Sequence, residues 1–241
     1  MSSLPNEQKQ QPQQPGTSDV HVSMEHVVRF VRQLSHDLRN HLNAAELQSA
    51  FMSEIAEDAE MKQEIGRLRS ILSEMGGSLQ RLSSSLAEPR LTLMPYEAES
   101  FVEDLRQKAA TQFGEENGAI DWQLEVGTGQ LEIDPQVLQQ ALLELISNAF
   151  RHQRGDGTIC AAAELRNGEF QFTLREPKTA RPASTENWGL EPFQHVKHGH
   201  YGVGLHRARK IIEAHGGTLE ARFDSTTSSL LTRVVLPTMA S

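Results

Sequence analysis

The stretch YGVGLHRARKIIEAHGGTLEARF, residues 201–223, decides the fold. Residues 202–215 read as a helix. Gly216 and Gly217 end it, because glycine adopts the left-handed backbone past a last helical turn without a steric penalty. TLEARF (218–223) then reads as a strand, and LLTRVVLP (230–237) as the strand that closes the domain. Upstream lies the rest of the sheet. IDWQLEV (120–126) alternates Ile120, Trp122, Leu124 and Val126, the pattern of a half-buried strand. TICAAAEL (158–165) and EFQFTL (169–174) read as a hairpin of strands, entered through a turn at Gly155 and Gly157. Asp134–Pro135 is a helix start, with Asp as N-cap and Pro in the first turn, and that helix runs to about His152. Residues from about 96 to 112 also look helical, and a long loop fills about 176–201. The order predicts an α+β sandwich over residues 96–241, with helices on one face of a mixed sheet.

Ahead of this domain the apolar period changes. Val27, Val31, Leu34, Leu38, His41, Ala45, Gln48, Met52 and Ile55 recur in steps of four and three. Ile65, Leu68, Leu72, Met75, Leu79, Leu82 and Leu86 do so more cleanly. Such spacing makes a narrow, coiled-coil-like seam. Two helices over 23–90, joined near residues 57–60, form an antiparallel hairpin. One hairpin buries two seams poorly, so pairing with a second copy into a four-helix bundle is favoured over folding back onto the downstream domain. Gly76 and Gly77, inside the second helix, mark either a bend or close packing. Pro89 and Pro95 bracket a short linker. Residues 1–22, rich in Gln and Pro, read as a disordered tail.

Bulk properties exclude several functions. The net charge is −9, which disfavours nucleic acid as a partner. Cys160 is the single cysteine, so there is no disulfide framework and no cysteine-based zinc site. No apolar run nears the roughly 18 residues that span a bilayer. The pattern predicts a cytoplasmic protein with no membrane segment.

One cluster on the first helix carries chemistry. In LSHDLRNHLNA (34–44), His36 falls two positions after the seam residue Leu34 and points to solvent, while His41 takes the seam. Asn40 lies one turn after His36 on the same face. Asp37 is adjacent and can orient the imidazole or accept its proton. An exposed imidazole beside a carboxylate is a competent nucleophile toward phosphorus or acyl centres.

This box resembles the phosphoacceptor box of sensor histidine kinases through Ser35, His36, Asp37, Leu38, Arg39, Asn40 and Leu42. His41 replaces the family's proline, which leaves the helix straighter. The resemblance implies that His36 is phosphorylated, that Asp37 serves as base, and that Asn40 helps to dephosphorylate a partner response regulator. LLELISNAFRH (142–152) resembles the N-box of the kinases' ATP-binding domain. There Asn148 would hold Mg²⁺, Arg151 and His152 would lie near the triphosphate, and Glu144 would stand one turn before Asn148. In the opening stretch Gly202 and Gly204 resemble the second glycine box, which brings backbone close to phosphates at a helix N-terminus. WGLEPF (188–193) resembles the piece the family carries ahead of its ATP lid. HVKHGH supplies His195, His198 and His200, read as part of a polar lid in preference to a metal site.

The departure is REPKTAR (175–181), where the family carries Asp-x-Gly-x-Gly. Glu176 stands where the Asp that accepts the adenine amino group belongs. No glycine occurs from Glu169 to Asn187, and Pro177 and Lys178 add bulk, which predicts weak ATP binding or none. The resemblance therefore implies a homodimeric two-component protein that uses MgATP and passes phosphoryl from His36 to an aspartate of a receiver domain. Three alternatives stand beside it: an ATP-independent histidine phosphotransferase, a module that only docks receivers, and a phosphatase relying on Asn40.

Overall fold

The computed structural model of the chain describes residues 23–182, 185–193, 196 and 201–239. The tail read over 1–22 lies outside the described residues, as do His195, His198 and His200.

The hairpin consists of α1 (Met24–Ile55) and α2 (Ala59–Ser85), with the turn where the spacing puts it. Each helix starts on a side-chain cap. Ser23 accepts from the His26 N–H, and Asp58 from the Glu60 and Met61 N–H groups, which satisfies donors that have no partner inside the helix. α2 runs through Gly76 and Gly77 unbroken, and a Cβ added at Gly76 would meet nothing within 4 Å. Neither a break nor close packing within this chain accounts for that glycine.

The α1 residues buried in the hairpin are Ser35 and Ser49, flanked by the half-buried Val31 and Leu42. On α1 this stripe shares only Val31 with the apolar seam, whereas on α2 the seam residues Ile65, Leu72, Leu79, Leu82 and Leu86 are buried or half-buried. Leu34, Leu38, Met52, Ile55, Leu68 and Met75 stay between 41% and 62% exposed. His41, read as a seam residue, is exposed with them. The cause is geometric: two helices meet along one stripe each, and on α1 that stripe carries the buried serines.

The second domain contains β1 (Met94–Glu97), α3 (Ala98–Phe113), a 3-10 turn (Gly114–Ala119), β2 (Ile120–Glu125), β3 (Gln130–Ile133) and α4 (Pro135–Arg151). It continues with β4 (Ile159–Arg166), β5 (Glu169–Pro177), α5 (Gly204–Ala214), β6 (Thr218–Asp224) and β7 (Ser229–Pro237). The main sheet has the order β2-β4-β5-β7-β6, with β2 and β4 parallel and the other pairs antiparallel. It is α+β, as the sequence predicts. The core joins Phe101 of α3, Leu142 and Ile146 of α4 and Ile212 of α5 to Phe170 and Phe172 of β5. Phe101 meets Phe170 edge to face, at 6.0 Å between centroids.

Two further details depart from the sequence expectations. β1 and β3 form a separate two-stranded ribbon, so Pro95 belongs to a strand instead of a linker. A proline is tolerated there because a two-stranded ribbon is all edge. β5 runs to Pro177, beyond its hydrophobic stretch, and shortens the loop read from 176.

Gly217 shows why the glycine pair after α5 is needed. A Cβ there would stand 2.5 Å from both Val235 O and Leu236 Cδ2. Gly217→Ala is expected to destabilise the domain by about 1–3 kcal/mol, the usual cost of overpacking, read as a lower urea midpoint with unchanged slope.

Candidate functional site

α1 carries the first cluster on its exposed side. His36 Nδ1 lies 3.3 Å from Asp37 Oδ1, with the two side chains 64% and 54% exposed. Asn40 Nδ2 lies 3.5 Å from the same Nδ1. Gln33 Nε2 donates to Asp37 Oδ1 at 2.9 Å and steadies the carboxylate. The two contacts belong to different ring forms: Asp37 accepts from a protonated Nδ1, whereas the Asn40 amide could donate only to an unprotonated one. When Asp37 accepts the Nδ1 proton, the lone pair of the ring sits on Nε2, and Nε2 becomes the nucleophilic atom.

The second cluster lies where α4, α5 and the end of β5 converge. Glu144 and Asn148 are one turn apart on α4 and half-buried. The Glu144 carboxylate rests on the backbone of Gly204, the first residue of α5; a Cβ at Gly204 would stand 1.9 Å from Glu144 Oε1. Only glycine lets the carboxylate come this close to the helix start. Gly202 has φ +64 and accepts a hydrogen bond from the Phe193 N–H at 3.0 Å, so residues 193 and 202 close the base of the loop between them. Its preceding arm is tied to α5. Arg209 donates to Trp188 O at 2.7 Å, and His206 Nδ1 lies 2.9 Å from Leu190 O. Arg151 and His152 are exposed at the end of α4.

Glu176 is buried, and its partner is Lys178. Lys178 Nζ lies 2.6 Å from Glu176 Oε2, with side chains 5% and 4% exposed. The same ammonium donates to His152 O at 2.6 Å, and thus caps the end of α4. Burial pushes the Glu176 carboxyl up from its ordinary value, and Lys178 pulls it part of the way back. Sequence reasoning counted Lys178 only as bulk. The signal was present: residues two apart on a strand share a face, so Glu176 and Lys178 meet once β5 extends past Leu174.

Sequence reasoning missed a further contact. His215 donates from Nδ1 to Ile211 O at 2.7 Å and accepts the Asp134 N–H at Nε2, 3.1 Å away. The end of α5 thereby fixes the start of α4. Asp134 Oδ1 accepts the Val137 N–H and Oδ2 the Thr92 N–H. Burial pushes the Asp134 carboxyl up, but the backbone N–H groups of Thr92, Val137 and Gln136 outweigh it, with help from His215, and hold it below the ordinary range. A lowered folded value stabilises above the unfolded value and is lost as pH falls through the folded one. Asp134→Ala is expected to cost about 1 kcal/mol near neutral pH, with the deficit shrinking in acid, as urea titrations at several pH values would record.

The residues fit an adenine nucleotide at one end only. Gly204 exposes a helix start, and Asn148 offers an amide oxygen, a hard ligand for Mg²⁺ that needs further oxygens from a phosphate. Among the described residues no group of three His, Cys, Asp or Glu is placed to hold a metal. At the base end the carboxylate of Glu176 is already ion-paired with Lys178.

Residues 133–238 match the family of histidine kinase-, DNA gyrase B- and HSP90-like ATPases. The sensor protein PfeS of Pseudomonas aeruginosa is 32% identical over 207 residues, covering 80% of this chain and 43% of that protein. The CAI-1 autoinducer sensor kinase/phosphatase CqsS of Vibrio cholerae is 26% identical over 209 residues, 77% of this chain and 30% of that protein. The chain thus spans less than half the length of these curated relatives. The crystal structure of full-length ShkA in complex with AMPPNP shares the fold, with a TM-score of 0.63 at 19% identity over 91% of this chain and 47% of that one. The catalytic domain of histidine kinase ThkA aligns with a TM-score of 0.50 at 21% identity, over 61% of this chain and 97% of that one. No helix among the described residues is long and apolar enough to cross a membrane. With a helical hairpin ahead of an ATP-binding-type α+β domain, the chain belongs to the sensor histidine kinase family.

Proposed function

We propose that the chain is a two-component phosphotransfer protein in which His36 carries a phosphoryl group that passes to an aspartate of a response regulator receiver domain. The observation that carries this reading is the orientation of His36, with Asp37 on Nδ1 and the ring exposed on α1. Nε2 attacks phosphorus in line as the donor's P–O bond breaks and its electron pair leaves on the donor oxygen, and the Asp37 carboxylate stabilises the positive charge that the ring gains at Nδ1–H. Asn40, whose amide lies 3.5 Å from Nδ1, does not bond that nitrogen while it is protonated, and its amide serves to orient a water or a phosphoryl oxygen. High exposure suits a site that must meet a second protein face to face.

The exposed seams support a homodimer. Leu34, Leu38, Met52 and Ile55 of α1, with Leu68 and Met75 of α2, present an apolar strip that a second hairpin would cover in a four-helix bundle. Leu38→Glu is expected to shift the protein from dimer to monomer in sedimentation; an unchanged dimer would place the interface elsewhere.

A second reading, the ATP-independent histidine phosphotransferase, is favoured by the buried Glu176–Lys178 pair. Both readings share one test. Wild type and His36→Gln are exposed to γ-labelled MgATP, and separately to receiver domains charged with labelled acetyl phosphate. Acid-labile, base-stable label on wild type from at least one of the two donors, and none on the variant from either, is expected. Absence of such label from every donor sinks the role of His36.

A further inference from the structure

We propose that Lys178 is a built-in occupant of the base-recognition position, its ammonium holding the carboxylate of Glu176, so that the domain does not take up adenine nucleotides.

Glu176 and Lys178 are both nearly inaccessible, with residue exposures of 3% and 8%. The ammonium stands 2.6 Å from Glu176 Oε2 as an ion pair without hydrogen-bond geometry, and donates to the carbonyl of His152 at 2.6 Å. Its backbone is fixed as well. Lys178 N–H donates to Ser228 O at 2.9 Å, which continues the β5–β7 ladder past its last paired residues, Pro177 and Ser229. The turn after α4 lies against it: the Gly155 N–H donates to Pro177 O, and a Cβ at Gly155 would stand 3.1 Å from the Lys178 backbone. The lysine is thus set in place by three segments and is not a surface side chain that swings aside.

Charge chemistry decides the competition. A purine amino group is a neutral donor. It would have to displace an ammonium ion-paired with a buried carboxylate, and a neutral donor cannot supply the charge that the carboxylate would lose. The displaced ammonium would also leave His152 O and need a new partner. No glycine between Glu169 and Asn187 leaves bare backbone for a base to slide over.

Taken with the reading of His36, on which this consequence alone rests, the phosphoryl group comes from the acyl phosphate of a receiver aspartate. The carboxylate–phosphorus P–O bond breaks and leaves its electron pair on the carboxylate. The Nε2–P bond forms, and the Nδ1 proton stays shared with Asp37. Atoms and electrons balance without ATP.

The test uses the full chain. Wild type is titrated with MgATP and with adenosine, followed by calorimetry and thermal shift. No saturable binding at millimolar ligand is expected, and no His36-dependent label from γ-labelled MgATP. Saturable MgATP binding, or such label, overturns the proposal. In Lys178→Ala, adenosine is expected to bind at least tenfold more tightly than to wild type, because the buried carboxylate then lacks a donor; a folded variant with no gain overturns the role of Lys178. If that variant does not fold, lysine acylation of the wild type decides: Lys178 should be protected equally with and without MgATP, and a change on adding MgATP counts against it. A His36 that accepts label from no receiver would remove the acyl-phosphate consequence and leave the nucleotide result to stand separately.

Discussion

Lys178→Ala is expected to lose about 3–5 kcal/mol of folding stability near neutral pH, the cost of leaving one member of a buried ion pair alone. The loss should depend on pH in a defined direction. Burial raises the Glu176 carboxyl in the folded state, and Lys178 is the partner that offsets this. A raised folded value stabilises below the unfolded value and is lost as pH rises through the folded one. Without Lys178 the folded value rises further, so the variant falls away from wild type as pH climbs. In mild acid, where the carboxyl is protonated, the difference should narrow. Glu176→Gln combined with Lys178→Met removes both charges and should recover most of the stability, because a buried pair replaced by neutral groups of similar size is often neutral in effect. Urea midpoints of wild type, single and double variants across that range measure all of this. A single-variant loss that is the same in acid and at neutral pH would mean that Glu176 does not carry it.

Asp37→Asn is expected to slow phosphoryl loading of His36 by about 10²–10⁴-fold, the range for removing one positioned acid–base group. The asparagine keeps the size and the exposure of Asp37 but cannot accept the growing positive charge at Nδ1. It can also present its amide N–H to Nδ1, which favours the ring form with the proton on Nε2 and blocks the nucleophilic atom. Asn40→Ala should behave differently. Its contact is longer, 3.5 Å against 3.3 Å, and touches the same atom without charge. Loading should change by less than about tenfold, with the larger effect on hydrolysis of the partner's phosphoryl group. Quenched-flow loading from a charged receiver separates the two variants. Equal effects of both on loading would show that Asp37 does no more than hold the ring.

Much of the fold was legible because it rests on local rules. Asp134–Pro135 announced α4, and Gly216–Gly217 announced the end of α5; both are backbone effects within a few residues. The helix seams were equally plain. What escaped was long-range or short. β1 and β3 are four residues each, too brief for a period to show, and one contains a proline. The pairing of Glu176 with Lys178 depends on how far β5 extends beyond its apolar residues, which β7 sets from more than fifty residues away. The His215–Asp134 bond joins residues 81 apart. Position on a seam was readable, but which stripe of α1 meets α2 was not, since the buried positions went to serines and left Leu34 and Leu38 outside.

The hydrogen bond from Asp134 N–H to His215 Nε2 has a kinetic corollary. This amide belongs to no strand ladder and precedes the first turn of α4. Amides in such positions normally trade hydrogen with water quickly. Here the acceptor is a buried ring at the far end of another helix, so exchange requires the two helix ends to part. In deuterated solvent that one slow amide would clock the joint opening of α4 and α5.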